Sequence, residues 1–254
     1  MKRIRMIKKQ IDRSFLFLIL LVCFSCSHSV ESAENSSSAE ESRIIVTRRE
    51  DGTRSSVNQV DSADIVHGMR ITYYGDGKTI YSKLTIDHGI KQGPCIKYYN
   101  NGQVFEHSNF KDGKKHGTIR KYYKNGELLA EFEYENGIAL PGIREYDKHG
   151  KLISSYPEVQ FNEIDNLDTK NWIDLEISCT KKSSRIKYYV LQREALETSR
   201  VYLITENGNA SMRFYVKPGD NIDRKIEIVA EIPTDLGNVM VKELSYNLTA
   251  VNSK

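Results

Sequence analysis

The chain reads as an all-β protein, a sheet of repeated antiparallel β-hairpins followed by a C-terminal β-sandwich. Three observations lead there. Between His67 and Tyr156 a unit of about 24 residues is written four times. Three of the four units carry Asn-Gly or Asp-Gly pairs of the kind that tight hairpin turns demand. The last hundred or so residues hold short strand-type runs and no long helical period.

The repeat markers keep step. First-turn glycines are Gly77, Gly102, Gly126 and Gly150, and second-turn glycines are Gly89, Gly113 and Gly137. A tyrosine stands four residues before each first glycine: Tyr73, Tyr98, Tyr122 and Tyr146. A second follows it as Tyr74, Tyr99 and Tyr123, and becomes Asp147 in the last copy. Between turns the residues alternate, with Leu128, Ala130, Phe132 and Tyr134 opposed to Glu127, Glu131 and Glu133. Ile80, Val104, Leu128 and Leu152 should therefore stack as one column, with Ile86, Phe110 and Tyr134 as another. One hairpin is marginal in water, so the copies must join in a continuous meander.

Taken in order, residues 1–25 predict a secretory signal peptide. Lys2, Arg3, Arg5, Lys8, Lys9 and Arg13 form a basic start, and Phe15 to Phe24 an apolar core too short to span a bilayer. The ending Ser25-Cys26 resembles a bacterial lipoprotein signal. That resemblance implies lipid attachment at Cys26, with Cys23 the disfavoured alternative. Ser27 after the anchor resembles outer-membrane sorting, and a simple secreted protein is the second choice of address. Residues 26–43, with SAENSSSAEES at their centre, predict a flexible tether. In 44–66, Gly52 lies 25 residues before Gly77 and suggests a degenerate leading hairpin able to cover the edge of the first full copy.

Residues 67–156 hold the repeats, and 157–254 the sandwich. The latter is expected to place strands at Val159 to Ile164, Trp172 to Thr180, Arg185 to Leu191, Val201 to Thr205, Ser211 to Lys217, Lys225 to Ile232 and Met240 to Leu248. An immunoglobulin-like arrangement is one candidate topology. Only the neighbourhood of Ala195 suggests a helical turn.

The motif G-x-x-x-x-Y-Y-x-x-G, present at Gly68 to Gly77, Gly93 to Gly102 and Gly117 to Gly126, resembles the bacterial variant of the MORN repeat. The resemblance runs from about Gly68 to Tyr156. The last copy departs from it with Pro141 and Asp147, as a terminal capping copy would. It implies a binding or scaffolding element, directed to protein or lipid, and no enzyme. Proteins of this kind are often labelled antitoxins of toxin–antitoxin systems, which makes an antitoxin-like or immunity role the alternative.

Charge excludes one class of partner. The chain has 37 Lys and Arg against 34 Asp and Glu, a net of +3. Removing the six basic residues and one acid before Cys26 leaves 31 against 33, so nothing in the mature chain calls for nucleic acid.

Candidate chemistry is sparse. His67 and His116 occupy equivalent positions two hairpins apart, roughly 19 Å, too far to share one ion. Neither a metal site nor a cofactor is expected. Cys95 and Cys179 could bridge in an oxidising compartment, but Cys179 falls on the apolar phase of its strand and reads as a buried thiol. Glu127, Glu131, Glu133 and Glu135 read as a solvated sheet face rather than a carboxylate pair. An enzyme acting on envelope polymers would need acid or base groups converging between repeats and sandwich. The candidate binding surface is therefore the tyrosines, Tyr73, Tyr98, Tyr122 and Tyr146 on one face and Tyr74, Tyr99 and Tyr123 on the other. The expected partner is a protein or a surface polymer.

Overall fold

The computed structural model describes residues 42–193 and 198–254. Cys26, the leader, the tether up to residue 41 and the segment around Ala195 lie outside the described residues. Strand is the dominant structure, 61% against 2% helix. One antiparallel sheet of eleven strands holds β1 (Arg43–Arg48), β2 (Arg54–Val60), β3 (Val66–Tyr73), β4 (Ile80–Asp87), β5 (Ile90–Tyr98), β6 (Val104–Lys111), β7 (Lys114–Lys115), β8 (Gly117–Tyr122), β9 (Leu128–Glu135), β10 (Ile138–Ala139) and β11 (Arg144–Glu145). The main path follows sequence order, as a meander of hairpins must.

Two kinds of turn alternate along this sheet. In the first, Gly102 N donates to Tyr99 O at 3.0 Å and Tyr99 N donates to Gln103 O at 2.8 Å. The same pair of bonds recurs at Tyr123 to Glu127 and at Asp147 to Lys151. It also recurs at Arg49 to Thr53, in the hairpin ahead of the first full copy. Only the glycine carries positive φ here, +84° at Gly102, so these are type I turns closed by a glycine bulge. The Asn of the Asn-Gly pair does a different job from the one its sequence suggests. Asn101 Oδ1 and Asn125 Oδ1 instead accept from the backbone N–H two residues on, each at 3.1 Å.

The return turns are the two-residue primed type. His88 with Gly89, Asp112 with Gly113, and Asn136 with Gly137 all have φ above zero at both positions. Each glycine N–H then donates to the preceding hairpin, Gly113 to Lys91 O at 2.9 Å and Gly137 to Lys115 O at 2.8 Å.

A second bulge, with Tyr81, Phe105 or Leu129 as the extra residue, shifts register at the same place three times, at Thr72/Tyr73, Lys97/Tyr98 and Lys121/Tyr122. Tyr73 thereby pairs with Ile80, Tyr98 with Val104 and Tyr122 with Leu128, and Tyr146 bridges Leu152. Strict alternation is interrupted there, and Val104 joins Ile96 and His107 around one depression.

The C-terminal region has two four-stranded antiparallel sheets. One holds β12 (Val159–Asp165), β13 (Trp172–Cys179), β17 (Asn209–Tyr215) and β16 (Thr205–Glu206), in that order. The other holds β15 (Thr198–Tyr202), β14 (Lys187–Arg193), β18 (Asn221–Pro233) and β19 (Val239–Val251). Lettered along the chain, the sheets run A-B-E-D and C′-C-F-G, an immunoglobulin-like order. Six of the seven expected runs are strands, while the run Val201 to Thr205 is split between the end of β15 and the start of β16, which lie in different sheets. A single helical turn, α1 (Leu167–Lys170), sits between β12 and β13, where none was expected.

Inward residues of both sheets make one core. Ile173, Leu175, Ile177 and Cys179 of β13 meet Ile226, Ile228, Ala230 and Ile232 of β18 across the interior. Burying an aliphatic side chain contributes about 1.5–3 kcal/mol, so this layer carries much of the stability. Ile143 belongs to the same core, and Phe132 and Tyr156 pack against it. The end of the repeat sheet and the sandwich thus share a hydrophobic interior. Cys95 and Cys179 are both buried and free.

Candidate functional site

The two tyrosine rows do different things. Tyr74 Oη donates to Tyr98 O at 2.6 Å, Tyr99 Oη to Tyr122 O at 2.8 Å, and Tyr123 Oη to Tyr146 O at 2.7 Å. Each second tyrosine therefore fastens its own copy to the next. Ahead of the first full copy, Arg49 stands at the equivalent position, and its guanidinium donates to Tyr73 O at 2.8 Å. A long cation replaces a phenol and makes the same bond. The final copy has no successor, and there Asp147 turns its carboxylate to its own loop, accepting from His149 N and Lys151 N.

The first row keeps its hydroxyls clear of that ladder. Tyr73, Tyr98, Tyr122 and Tyr146 are half-buried, like the second row. The Arg54 guanidinium lies 4.8 Å from the Tyr73 ring centre, and Lys83 Nζ 5.9 Å from that of Tyr98. Beside Tyr122, a depression of about 370 Å³ is lined by Ile96, Gln103, Val104, His107 and Gly126. It is mostly apolar and open, a surface recess rather than an enclosed cavity. Further along the same face, Glu131 is held by Arg120 at 2.6 Å and by Arg144. Burial opposes its charge, but the Arg144 and Arg120 guanidiniums prevail and hold it below the usual carboxylate range.

Carboxylates do converge where the repeats meet the sandwich. Glu106 and Glu145 are 3% and 1% exposed. Glu106 takes Lys97 Nζ at 3.0 Å and Lys115 Nζ at 3.6 Å. Glu145 Oε1 accepts from Thr234 Oγ1 and Asn238 Nδ2, each at 2.6 Å, and Asn238 Oδ1 accepts from Lys121 Nζ at 2.7 Å. Burial disfavours the charge on Glu106, yet Lys115 and Lys97 outweigh it and keep the acid ionised. Burial lowers Lys121, with neighbouring lysines adding to the effect. These groups hydrogen-bond or pair with one another, so the network acts as a joint between the repeats and the β18–β19 turn.

One cluster escaped the sequence reading. His67, Asp87 and His88 bring one ligand atom each within 4.8 Å of one another. Equivalent positions in successive copies lie far apart. The two arms of one hairpin are neighbours: Gly68 pairs with Ile86, which sets His67 across from Asp87. Folding the β3–β4 hairpin about its bulge was the available signal.

Residues 91–112 and 115–136 match the family model described as MORN repeat variant. No curated protein matches the chain, and no solved structure does. The matched segments are the two copies with the most regular turns and tyrosine bonds, so the described sheet contains MORN-variant repeats, a class commonly used for binding and scaffolding.

Proposed function

We propose that the protein is a non-enzymatic binding module. It contacts a protein or surface polymer through the first tyrosine row, and is displayed in the bacterial envelope on a lipid attached at Cys26. One observation carries the reading: the second row spends its hydroxyls between copies, while the first row presents aromatic area, overhanging cations and the depression at Tyr122 on one face. Amphipathic rings of this kind are favoured at interfaces because they combine apolar area with a hydrogen-bonding tip. The MORN-variant match supports the same class of activity, and the basic, apolar and Ser-Cys pattern at the N-terminus supports the address.

Affinity capture from detergent-solubilised envelopes tests it, with the anchored protein as bait. Wild type and a Tyr74→Phe control should return the same partner. Tyr98→Ser with Tyr122→Ser should lose it while keeping a wild-type circular dichroism spectrum. Equal capture by the first-row variant would refute the assignment of the surface. Metabolic labelling with a fatty acid should fail on Cys26→Ala, and persistent labelling would move the anchor to another residue.

A further inference from the structure

We infer that His67, Asp87 and His88 form a binding site for a divalent late transition metal, zinc foremost. Asp87 Oδ1 lies 3.2 Å from His67 Nδ1 and 2.6 Å from His88 Nδ1, and the two imidazole centres are 4.5 Å apart. Ligand atoms about 2 Å from one tetrahedral zinc stand roughly 3.3 Å from each other, so small side-chain rotations suffice to enclose an ion. Two imidazoles and a carboxylate suit zinc, nickel or copper better than calcium or magnesium. The site sits at a hairpin end, with Asp87 and His88 exposed, so water can complete the coordination.

Comparison with neighbouring copies supports the inference. At the position of His67 the next copy has Gln92, whose Oε1 accepts a 2.8 Å bond from Asp112 N and caps the return turn. His67 Nδ1 makes the corresponding contact to His88 N at only 3.4 Å. The same Nδ1 is 3.2 Å from the Asp87 carboxylate. Accepting from the backbone requires a bare nitrogen, and meeting a carboxylate requires a proton, so no tautomer serves both. A cation between the nitrogen and the carboxylate uses both lone pairs. His88 occupies a φ of +44°, where the other copies have Asp112 and Asn136. His116 holds the position of His67 in the third copy, so the departure that completes the ligand set is His88, at a turn position where the other copies have Asp or Asn. This site is independent of the tyrosine face.

The test titrates zinc chloride into metal-stripped full-length protein while following histidine ring resonances by NMR. The cysteines near the N-terminus can bind zinc too, so the assignment rests on the rings of His67 and His88, which should shift together with one equivalent. His67→Gln and His88→Asn introduce the residues that neighbouring copies carry and should fold normally. Each should weaken binding at that site at least tenfold, and Asp87→Asn gives a third measure. Resonances of His67 and His88 that ignore zinc, or unchanged affinity in all three variants, would overturn the inference.

Discussion

Replacing Tyr99 with Phe removes a single oxygen and leaves the ring in place against Phe105, whose centre is 5.1 Å away. The lost interaction is the 2.8 Å bond from Tyr99 Oη to Tyr122 O. A neutral hydrogen bond contributes about 1 kcal/mol net. Water can reach a half-buried site and limits any further penalty, so about 1 kcal/mol is the expected loss. Tyr74→Phe and Tyr123→Phe remove the equivalent bonds of 2.6 and 2.7 Å. Successive copies stand about 9–10 Å apart, far enough for the effects to add, and the triple variant should lose about 3 kcal/mol. That is a large part of the 5–15 kcal/mol typical of a folded domain. Urea unfolding followed by circular dichroism gives the total, and hydrogen exchange of β5 to β9 amides locates it. Tyr98→Phe is the control, because its hydroxyl makes no hydrogen bond to the described residues, and its change should stay within about 0.5 kcal/mol. If Tyr99→Phe and Tyr98→Phe move the unfolding midpoint equally, the two rows are not functionally distinct and the reasoning fails.

Three further outcomes can be checked by the same unfolding assay. Glu106→Gln should cost about 3 kcal/mol, the low end for an interrupted buried ion pair because Lys97 and Lys115 reach water. Glu106 has its folded pKa lowered, so its contribution is present above the unfolded value, about 4.3, and is lost as pH falls through the folded value; in the variant that part of the acid-side slope should flatten. Gly77→Ala should destabilise more than Gly102→Ala, because both have positive φ but only at Gly77 would a Cβ meet backbone, Arg54 N at 2.8 Å; the open position should lose about 1 kcal/mol. Asn238→Ala should cost about 2 kcal/mol by leaving the buried Glu145 oxygen short of a donor, and no loss would mean the joint is not formed as described.

Periodicity made most of the fold legible. Glycines at 24- or 25-residue spacing located the turns from Gly77 to Gly150, while the glycine-free turn between β2 and β3 carried no such marker, and the alternation in Trp172 to Cys179 marked a strand with one buried face. Turn type was not legible, since Asn-Gly fits both a primed turn and a type I turn with a bulge; which one forms depends on whether the loop has two residues or three. That difference of one residue fixes which side chains face each other, and the sequence alone therefore did not bring Asp87 and His88 beside His67. The division of labour between tyrosine rows was hidden for a related reason. A hydroxyl reaching a carbonyl 23 or 24 residues away is a property of stacked copies, and no single copy displays it. Glu145 gave no signal of its own because its partners, Thr234 and Asn238, come from an element distant in the chain.

The tyrosine ladder points one way. Each of the three full copies offers a donor to its successor, the leading hairpin begins the series with an arginine, and the trailing copy ends it with an aspartate whose carboxylate accepts from its own loop. A lengthened array must therefore gain its extra unit internally, between Gly93 and Gly117 for instance, where both halves of the junction already exist. A unit appended after Asp147 would meet a neighbour unable to grip it. Directional growth of this sort lets duplication change the reach of the sheet while leaving its two terminal fittings untouched.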